Sequence, residues 1–131
     1  MTILQKRILV TEDDEILRDM LVMVLQDEDY QVDAAADGIE ALNLMSANKY
    51  DLLATDLYMP NMNGGELITK CQKLYPEIKI ILFSGGGKEI EAAHGSKAIK
   101  FLGEDIKVNL FLEKPCNLND IITAVENILC D

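Results

Sequence analysis

Short apolar runs alternate along this chain with longer stretches in which apolar residues recur at helical spacing. This alternation limits the possible folds more than any other feature of the sequence. The five runs, each predicted to be a strand and apolar except at Asp33, Thr55 and Lys79, are Ile8–Val10, Val32–Ala35, Leu52–Thr55, Ile78–Phe83 and Leu110–Leu112. Uninterrupted apolar strands are typical of a parallel sheet that is covered by helices on both faces.

The stretches that follow these runs are predicted to be helices, because their apolar residues lie three or four positions apart. Their predicted extents are 16–25, 39–45, 67–74, 88–101 and 118–129. The fourth stretch is only weakly amphipathic. The third begins after Asn63-Gly64-Gly65 and ends before Pro76, and Asn117 or Asn119 is predicted to cap the fifth. Residues 103–109 carry no clear pattern.

Five strand–helix repeats with right-handed crossovers predict an α/β fold. We expect a doubly wound, five-stranded parallel sheet in a flavodoxin-like (βα)5 arrangement, which forms a three-layer α/β/α sandwich. The length of 131 residues corresponds to one domain over residues 1–131.

The acidic charge balance excludes two classes of partner. The chain has 12 basic and 23 acidic residues, which gives a formal net charge of −11 at pH 7. Such a surface repels nucleic-acid phosphates and anionic membranes, so direct binding to either is not expected. No apolar run reaches the roughly 20 residues that span a bilayer, no signal peptide is visible, and the three cysteines form no CxxC pair. We therefore predict a cytoplasmic protein.

Polar and charged residues follow four of the five predicted strands. Glu12 and Asp13 follow the first, Asp56 follows the third, Ser84 closes the fourth and Lys114 follows the fifth. Ligands bind beyond the carboxyl ends of the strands in doubly wound sheets, so these side chains are expected to form one site. Clustered carboxylates repel one another, and Mg²⁺ (with Mn²⁺ as a substitute) would relieve that repulsion through oxygen ligands.

A metal-bound acidic cluster predicts phosphoryl-transfer chemistry. When two acids hold the metal, a third carboxylate is able to attack phosphorus and form an aspartyl phosphate. Such a transfer depends on positioning and on neutralising the phosphoryl oxygens, which the metal, Lys114 and the Ser84 hydroxyl would supply. The simpler interpretation, that Glu12 and its neighbours only favour a helix N-terminus, does not explain the matching residues at the other strand ends.

Four segments of this sequence resemble the receiver domain of two-component response regulators, in the same order and at similar spacing. The segments are Arg7–Asp14 (RILVTEDD), Asp51–Gly64 (DLLATDLYMPNMNG), Ile80–Ser84 (IILFS) and Phe111–Pro115 (FLEKP). The resemblance covers nearly the whole chain. Its most specific feature is Asp-x-x-Met-Pro with a downstream glycine, joined to an upstream acidic pair and a downstream Lys-Pro.

The resemblance implies a role for each of the acidic residues. Asp56 would be the phosphoryl acceptor, and Glu12, Asp13 and Asp56 would hold Mg²⁺ together with the backbone carbonyl of Tyr58. Glutamate at the position of Glu12, where aspartate is more frequent, is a common variation in the family.

The resemblance also implies roles for the remaining residues. Ser84 would hydrogen-bond the phosphoryl group and draw its strand inward on activation. Lys114 would pair with a phosphoryl oxygen, or with Asp56 before phosphorylation. Phe111 occupies the position of the family's aromatic switch, and plain strand packing is the alternative for this residue. The peptide bond between Lys114 and Pro115 is expected to be cis, as is usual in the family.

The function implied by the resemblance is that of a phosphorylation switch rather than of a turnover enzyme. The phosphoryl group would come from a phosphohistidine on a sensor histidine kinase or a phosphotransfer protein. Phosphorylation would alter the face made of the fourth helix, the fifth strand and the fifth helix, and so change contacts with an unknown downstream protein. No output domain is expected within residues 1–131, so the signal would pass through protein contact.

A second hypothesis is a receiver-fold binding module that is no longer switched by phosphorylation. The glycine run Gly85–Gly87 and the long interval between Ser84 and Lys114 favour it, because both depart from the usual receiver pattern. Retention of all the site residues argues against it. Such a module would bind its partner regardless of phosphodonor and metal.

Overall fold

The computed structural model describes residues 5–85, 90–91 and 97–130 of the chain. Its strands are β1 (Arg7–Thr11), β2 (Gln31–Ala35), β3 (Leu52–Asp56), β4 (Lys79–Ser84), β5 (Ile90–Glu91), β6 (Ala98–Phe101), β7 (Glu104–Lys107) and β8 (Leu110–Glu113). Its helices are α1 (Glu15–Asp27), α2 (Gly38–Ala47), α3 (Gly64–Leu74) and α4 (Leu118–Leu129). Gly86 and Gly87 of the glycine run lie outside the described residues.

Five strands form one parallel sheet in the order β2-β1-β3-β4-β8. The chain winds from β1 to β2 on one side and then crosses back to add β3, β4 and β8 on the other side. The doubly wound, flavodoxin-like sheet predicted from the sequence is thereby confirmed. The winding reverses between β1 and β3, so the carboxyl ends of these two strands border the crevice in which such sheets bind ligands.

Both faces of the sheet are buried, in two separate apolar layers. Leu9 and Leu53 belong to the layer that packs against α2 and α3, whereas Ile8 and Leu52 belong to the layer that packs against α1 and α4. Successive side chains of a strand point to opposite faces, so each strand supplies both layers. This double burial explains why the central strands β1, β3 and β4 are largely apolar, whereas the edge strand β2 carries Gln31 and Asp33.

A short polar side chain caps each of the four helices and fixes the residue at which it begins. The caps are Asp14, Asp37, Asn63 and Asn117, and each side chain accepts a hydrogen bond from the backbone amide three residues later. Asn117, rather than Asn119, therefore caps the last helix. The caps at Asp14 and Asn63 make α1 and α3 begin close to the carboxyl ends of β1 and β3.

The predicted helix over 88–101 is wrong in the part of this segment that the structure describes. Residues 90–91 and 98–101 are β5 and β6, and these strands form a small antiparallel sheet with β7. Ile99, Phe101 and Ile106 are buried between exposed neighbours, which is the period of a strand rather than of a helix. These side chains join the apolar layer that contains α2 and α3, so the small sheet covers the main sheet in place of a helix.

A two-residue turn, Leu102 and Gly103, joins β6 to β7. The turn lies at the start of the segment 103–109, for which the sequence predicted no structure. Phe101 pairs with Glu104, and the intervening Leu102 and Gly103 have φ values of 51° and 79°. Positive φ at both central positions matches the type I′ turn, whose twist suits a hairpin. Glycine adopts such values readily, whereas Leu102 is strained and 62% exposed.

Close packing at the start of α3 fixes this helix against the end of β3. A Cβ atom on Gly64 would overlap the carbonyl oxygen of Asp56 and would lie 2.9 Å from the Cα atom of Leu57. The amide of Gly64 donates a hydrogen bond to the carbonyl of Leu57 at 2.7 Å. Only glycine fits this contact, so Gly64 determines the course of the loop between β3 and α3.

Replacing Leu102 with asparagine is expected to raise the free energy of unfolding by about 1 kcal/mol, because asparagine tolerates positive φ better than leucine. Urea-induced unfolding measures the change. Gly103→Ala is the matched control and should lower the free energy of unfolding, since alanine is strained at a φ of 79° although nothing lies within 4 Å of its Cβ position. A less stable Leu102→Asn variant would contradict the turn type.

The substitution Gly64→Ala is expected to lower the free energy of unfolding by about 3 kcal/mol, because the added methyl group overlaps backbone atoms of Asp56 and Leu57. Backbone atoms, unlike a flexible side chain, cannot rotate out of the way. Gly85→Ala is the control, since nothing lies within 4 Å of a Cβ atom at that position. Its effect should stay under about 0.5 kcal/mol. Equal effects in the same unfolding assay would show that α3 does not depend on the Gly64 contact.

Candidate functional site

The carboxyl ends of four strands carry the residues predicted to form the site. Glu12 follows β1, Asp56 and Ser84 are the last residues of β3 and β4, and Lys114 follows β8. Backbone pairing continues one residue beyond two of these strands. The amide of Glu12 donates to the carbonyl of Ala35 at 3.0 Å, and the amide of Lys114 donates to the carbonyl of Ser84 at 2.8 Å. The sheet itself therefore fixes the backbone beneath the site.

Three carboxylates converge at this edge of the sheet. One oxygen from each of Glu12, Asp13 and Asp56 lies within 4.8 Å of the other two. Glu12 and Asp56 are only 3% and 8% exposed, whereas Asp13 is exposed to solvent. Burial, together with the neighbouring negative charge, raises the pKa of both Glu12 and Asp56 above their ordinary values. The cluster therefore carries a repulsion that a cation would relieve.

The ammonium group of Lys114 lies between two of these carboxylates. Its Nζ atom is 3.0 Å from Oε1 of Glu12 and 3.4 Å from Oδ1 of Asp56. Burial by itself would lower the pKa of Lys114, but the contacts with Glu12 and Asp56 outweigh that effect and raise the pKa. Lys114 therefore remains charged and offsets part of the repulsion in the cluster.

Backbone and guanidinium donors fix the orientation of the acidic residues. The amide of Leu57 donates to Oδ1 of Asp56 at 2.9 Å, and the amide of Asp14 donates to Oε2 of Glu12 at 3.2 Å. The guanidinium of Arg18 donates to the carbonyl of Glu12 at 2.9 Å. The sequence argument missed Arg18. Its only sequence signal is a basic residue one turn into the helix that follows the acidic pair.

The donor set at this edge fits a divalent ion of the magnesium type. Mg²⁺ binds carboxylate oxygens and retains several waters, so it needs few protein ligands. The cluster consists of three carboxylates, two of them buried and one open to solvent, with no sulfur or imidazole donor among the described residues of the group. Oxygen donors alone favour Mg²⁺ or Mn²⁺ over zinc.

Ser84 and Phe111 lie on the strands beside the cluster. Ser84 is completely buried at the end of β4, and β4 pairs with β3 so that Phe83 lies opposite Asp56. Phe111 is 2% exposed, pairs with Leu82 and packs in the apolar layer that contains α2 and α3. Their roles in phosphoryl transfer stay predictions.

Tyr58 lies in the loop between β3 and α3, two residues after Asp56. Its side chain is 41% exposed, and its ring meets the ring of Phe101 from β6 edge to face. This contact was not predicted, because Phe101 was assigned to a helix. The cis peptide bond expected between Lys114 and Pro115 is confirmed.

The sequence of the chain matches that of a known domain family. The profile of the response regulator receiver domain matches residues 8–126. The response regulator receiver protein CpdR of Brucella abortus is 33% identical over 124 residues, which cover 95% of this chain and 97% of CpdR. The sensor kinase CckA of the same organism is 34% identical over 124 residues, but this chain spans only 12% of that kinase.

Solved structures share the fold described above. The receiver domain of the hybrid histidine kinase CckA has a TM-score of 0.74 at 29% identity, covering 94% of this chain and 98% of that domain. TrrA of Thermotoga maritima, solved in complex with Mg²⁺-BeF, has a TM-score of 0.77 at 28% identity, covering 95% and 100%. With the profile match and the likeness to CpdR over nearly its full length, these comparisons establish that the chain belongs to the response regulator receiver domain family.

Proposed function

We propose that this receiver domain accepts a phosphoryl group on Asp56, with Mg²⁺ held by Glu12, Asp13 and Asp56, and that phosphorylation switches its contacts with another protein. The proposal depends on one observation above all. Three carboxylates and the Lys114 ammonium meet at the edge of a doubly wound sheet where such folds bind ligands. Membership in the receiver family supports the same reaction.

A carboxylate oxygen of Asp56 is the nucleophile of the proposed transfer. It forms a bond to phosphorus while the bond from phosphorus to the donor's histidine nitrogen breaks, and the imidazole leaves with the electron pair. Bound Mg²⁺ would supply positive charge to the phosphoryl oxygens. Lys114 supplies a second positive charge, the Ser84 hydroxyl donates a hydrogen bond to the phosphoryl group, and the Leu57 amide holds Oδ1 of Asp56 at 2.9 Å.

Two further residues have proposed roles. The backbone carbonyl of Tyr58 is a fourth protein ligand, because the loop that carries it begins at Asp56 and is held at its other end by Gly64. Phe111 changes its packing on phosphorylation. It lies in β8, three residues before Lys114, and its ring belongs to the apolar layer beneath the small sheet.

The proposed site suits one transfer per chain rather than turnover of a substrate. The group that reacts is a side chain of the protein itself, so the product stays attached until water removes the phosphoryl group. Self-catalysed phosphorylation and slow loss of the group belong to this proposal. The unswitched binding module has no support from the site, because the acidic ligands and Lys114 all converge there.

The proposed donor is a phosphohistidine on a sensor histidine kinase or a phosphotransfer protein, and residues 1–131 act as one receiver domain. The proposed output face consists of β8, α4 and the small sheet, which takes the place of the fourth helix. None of the helices within the described ranges is long and apolar enough to cross a bilayer. A cytoplasmic location and the lack of direct nucleic-acid or membrane contacts stay predictions.

Incubation with Mg²⁺ and acetyl phosphate is expected to add one phosphoryl group, which intact-mass measurement detects. Asp56→Asn should abolish the gain, because it removes the nucleophilic oxygen. Asp105→Asn is the matched control, since it makes the same chemical change at a side chain that is 86% exposed on β7. A gain that persists in Asp56→Asn would overturn the assignment of Asp56.

The affinity for Mg²⁺ is expected to fall as the pH decreases from about 8 to about 5, because protons compete with the metal for its carboxylate ligands. Burial raises the pKa of Glu12 and Asp56, so both take up protons at a higher pH than exposed carboxylates do. Calorimetric titrations in buffers of different ionisation enthalpy would measure both the affinity and the proton release. A constant affinity across this range would contradict the buried ligand set.

A further inference from the structure

The ring of Phe101 links the small sheet to the loop that follows Asp56. Phe101 is the last residue of β6 and is 6% exposed. Its ring meets that of Tyr58 edge to face, with the centroids 6.0 Å apart and the planes at 78°. Edge-to-face pairs at this separation are attractive beyond the area that they bury. Since Tyr58 is 41% exposed, this contact is an important restraint on an accessible side chain.

The same ring packs against the first turn of α3. A Cβ atom on Gly65 would lie 2.9 Å from Cδ2 of Phe101, so the helix backbone and the ring are in direct contact. The preceding residue, Gly64, packs equally closely against the carbonyl of Asp56. Phe101 therefore touches the β3–α3 loop near its start, at Tyr58, and just beyond its end, at Gly65.

We propose that Phe101 is a positioning residue of the Asp56 site and that it couples the small sheet to metal binding by holding the β3–α3 loop. The inference rests on the proposed function, in which the carbonyl of Tyr58 is a metal ligand. The Phe101 ring confines Tyr58, so less conformational entropy is lost when that carbonyl binds the ion. Removal of the ring takes away this restraint on Tyr58 and loosens the loop.

Coupling of this kind is reciprocal. If the Phe101 contact changes the affinity for Mg²⁺, occupation of the acidic site changes the stability of that contact by the same free energy. β6 directs Phe101 into the core and the neighbouring Lys100 towards solvent. A shift of the ring would therefore move the exposed face of the small sheet, which is how the sheet reports the state of the site to a partner.

Calorimetric titration of Mg²⁺ into the full chain tests this proposal. Phe101→Leu removes the ring but keeps an apolar side chain, and it is expected to weaken Mg²⁺ binding by a measurable factor of at most about ten, the limit set by the full energy of one aromatic pair. Phe101→Tyr retains the ring and should retain the parental affinity. Ile106→Val on β7 is the matched control for lost packing, since Ile106 is also 6% exposed, and it should leave the affinity unchanged.

Replacement of Tyr58 tests the same contact from its exposed side, where the fold tolerates substitution. Tyr58→Leu is expected to weaken Mg²⁺ binding by the same factor, and the double variant with Phe101→Leu should bind no more weakly than either single variant. Unchanged affinity in Phe101→Leu, or an equal loss in Ile106→Val, would overturn the coupling while leaving phosphorylation of Asp56 intact. Absence of Mg²⁺ binding by the parent chain would overturn the coupling and the proposed function together.

Discussion

Crowding of negative charge at the carboxyl edge of the sheet is the constraint on which the rest of the site depends. Glu12 and Asp56 are withdrawn from water beside Asp13, and burial raises the pKa of both buried acids. Carboxylates that stayed apart in water would avoid the free-energy cost of burial and mutual repulsion, so a compensating positive charge is needed. Lys114 supplies part of it through contacts of 3.0 and 3.4 Å, and the remaining negative charge favours a cation such as Mg²⁺.

The sheet and the helix caps maintain this unfavourable arrangement. Parallel strands end on one edge, and the two buried acids are held there by the ladder, since Glu12 directly follows β1 and Asp56 is the last residue of β3. Asp14 and Asn63 cap α1 and α3, so two helices begin beside the cluster. The partial positive charge at a helix N-terminus stabilises nearby anions. The fold thereby supplies a polar environment for charges that its apolar layers would exclude.

The small antiparallel sheet covers the same apolar layer of the main sheet that a fourth helix was predicted to cover. Ile99, Phe101 and Ile106 fill the apolar layer that a fourth helix was predicted to fill. The difference matters because a strand directs alternate side chains to opposite faces. Phe101 is thus able to pack beside Tyr58 and α3 while Lys100, its neighbour in β6, remains exposed. A structural element that closes the core also reaches the loop of the proposed site.

The accuracy of the sequence argument differed between segments for physical reasons. Most strands of the main sheet were predictable because burial on both faces demands largely apolar runs. Asn117 was one of two predicted caps of the last helix, whereas the caps Asp14 and Asn63 were not identified from the sequence. The small sheet was not predictable in the same way. Its strands are two to four residues long, and its alternating pattern in Ile99 and Phe101 is too short to separate from a weak helix. The turn at Leu102 and Gly103 lacks the asparagine or aspartate that usually accompanies glycine there.

The sequence by itself determined the fold class and which residues meet at the carboxyl edge, because the order of strands and the residues after them are local properties of the chain. Only the tertiary structure decided that Lys114 contacts Glu12 as well as Asp56, that Arg18 holds the Glu12 backbone, and that Phe101 packs on Tyr58. These contacts join residues whose positions depend on how separate elements pack. No local pattern encodes that packing, since it is set by the closing of the apolar layers around the whole sheet.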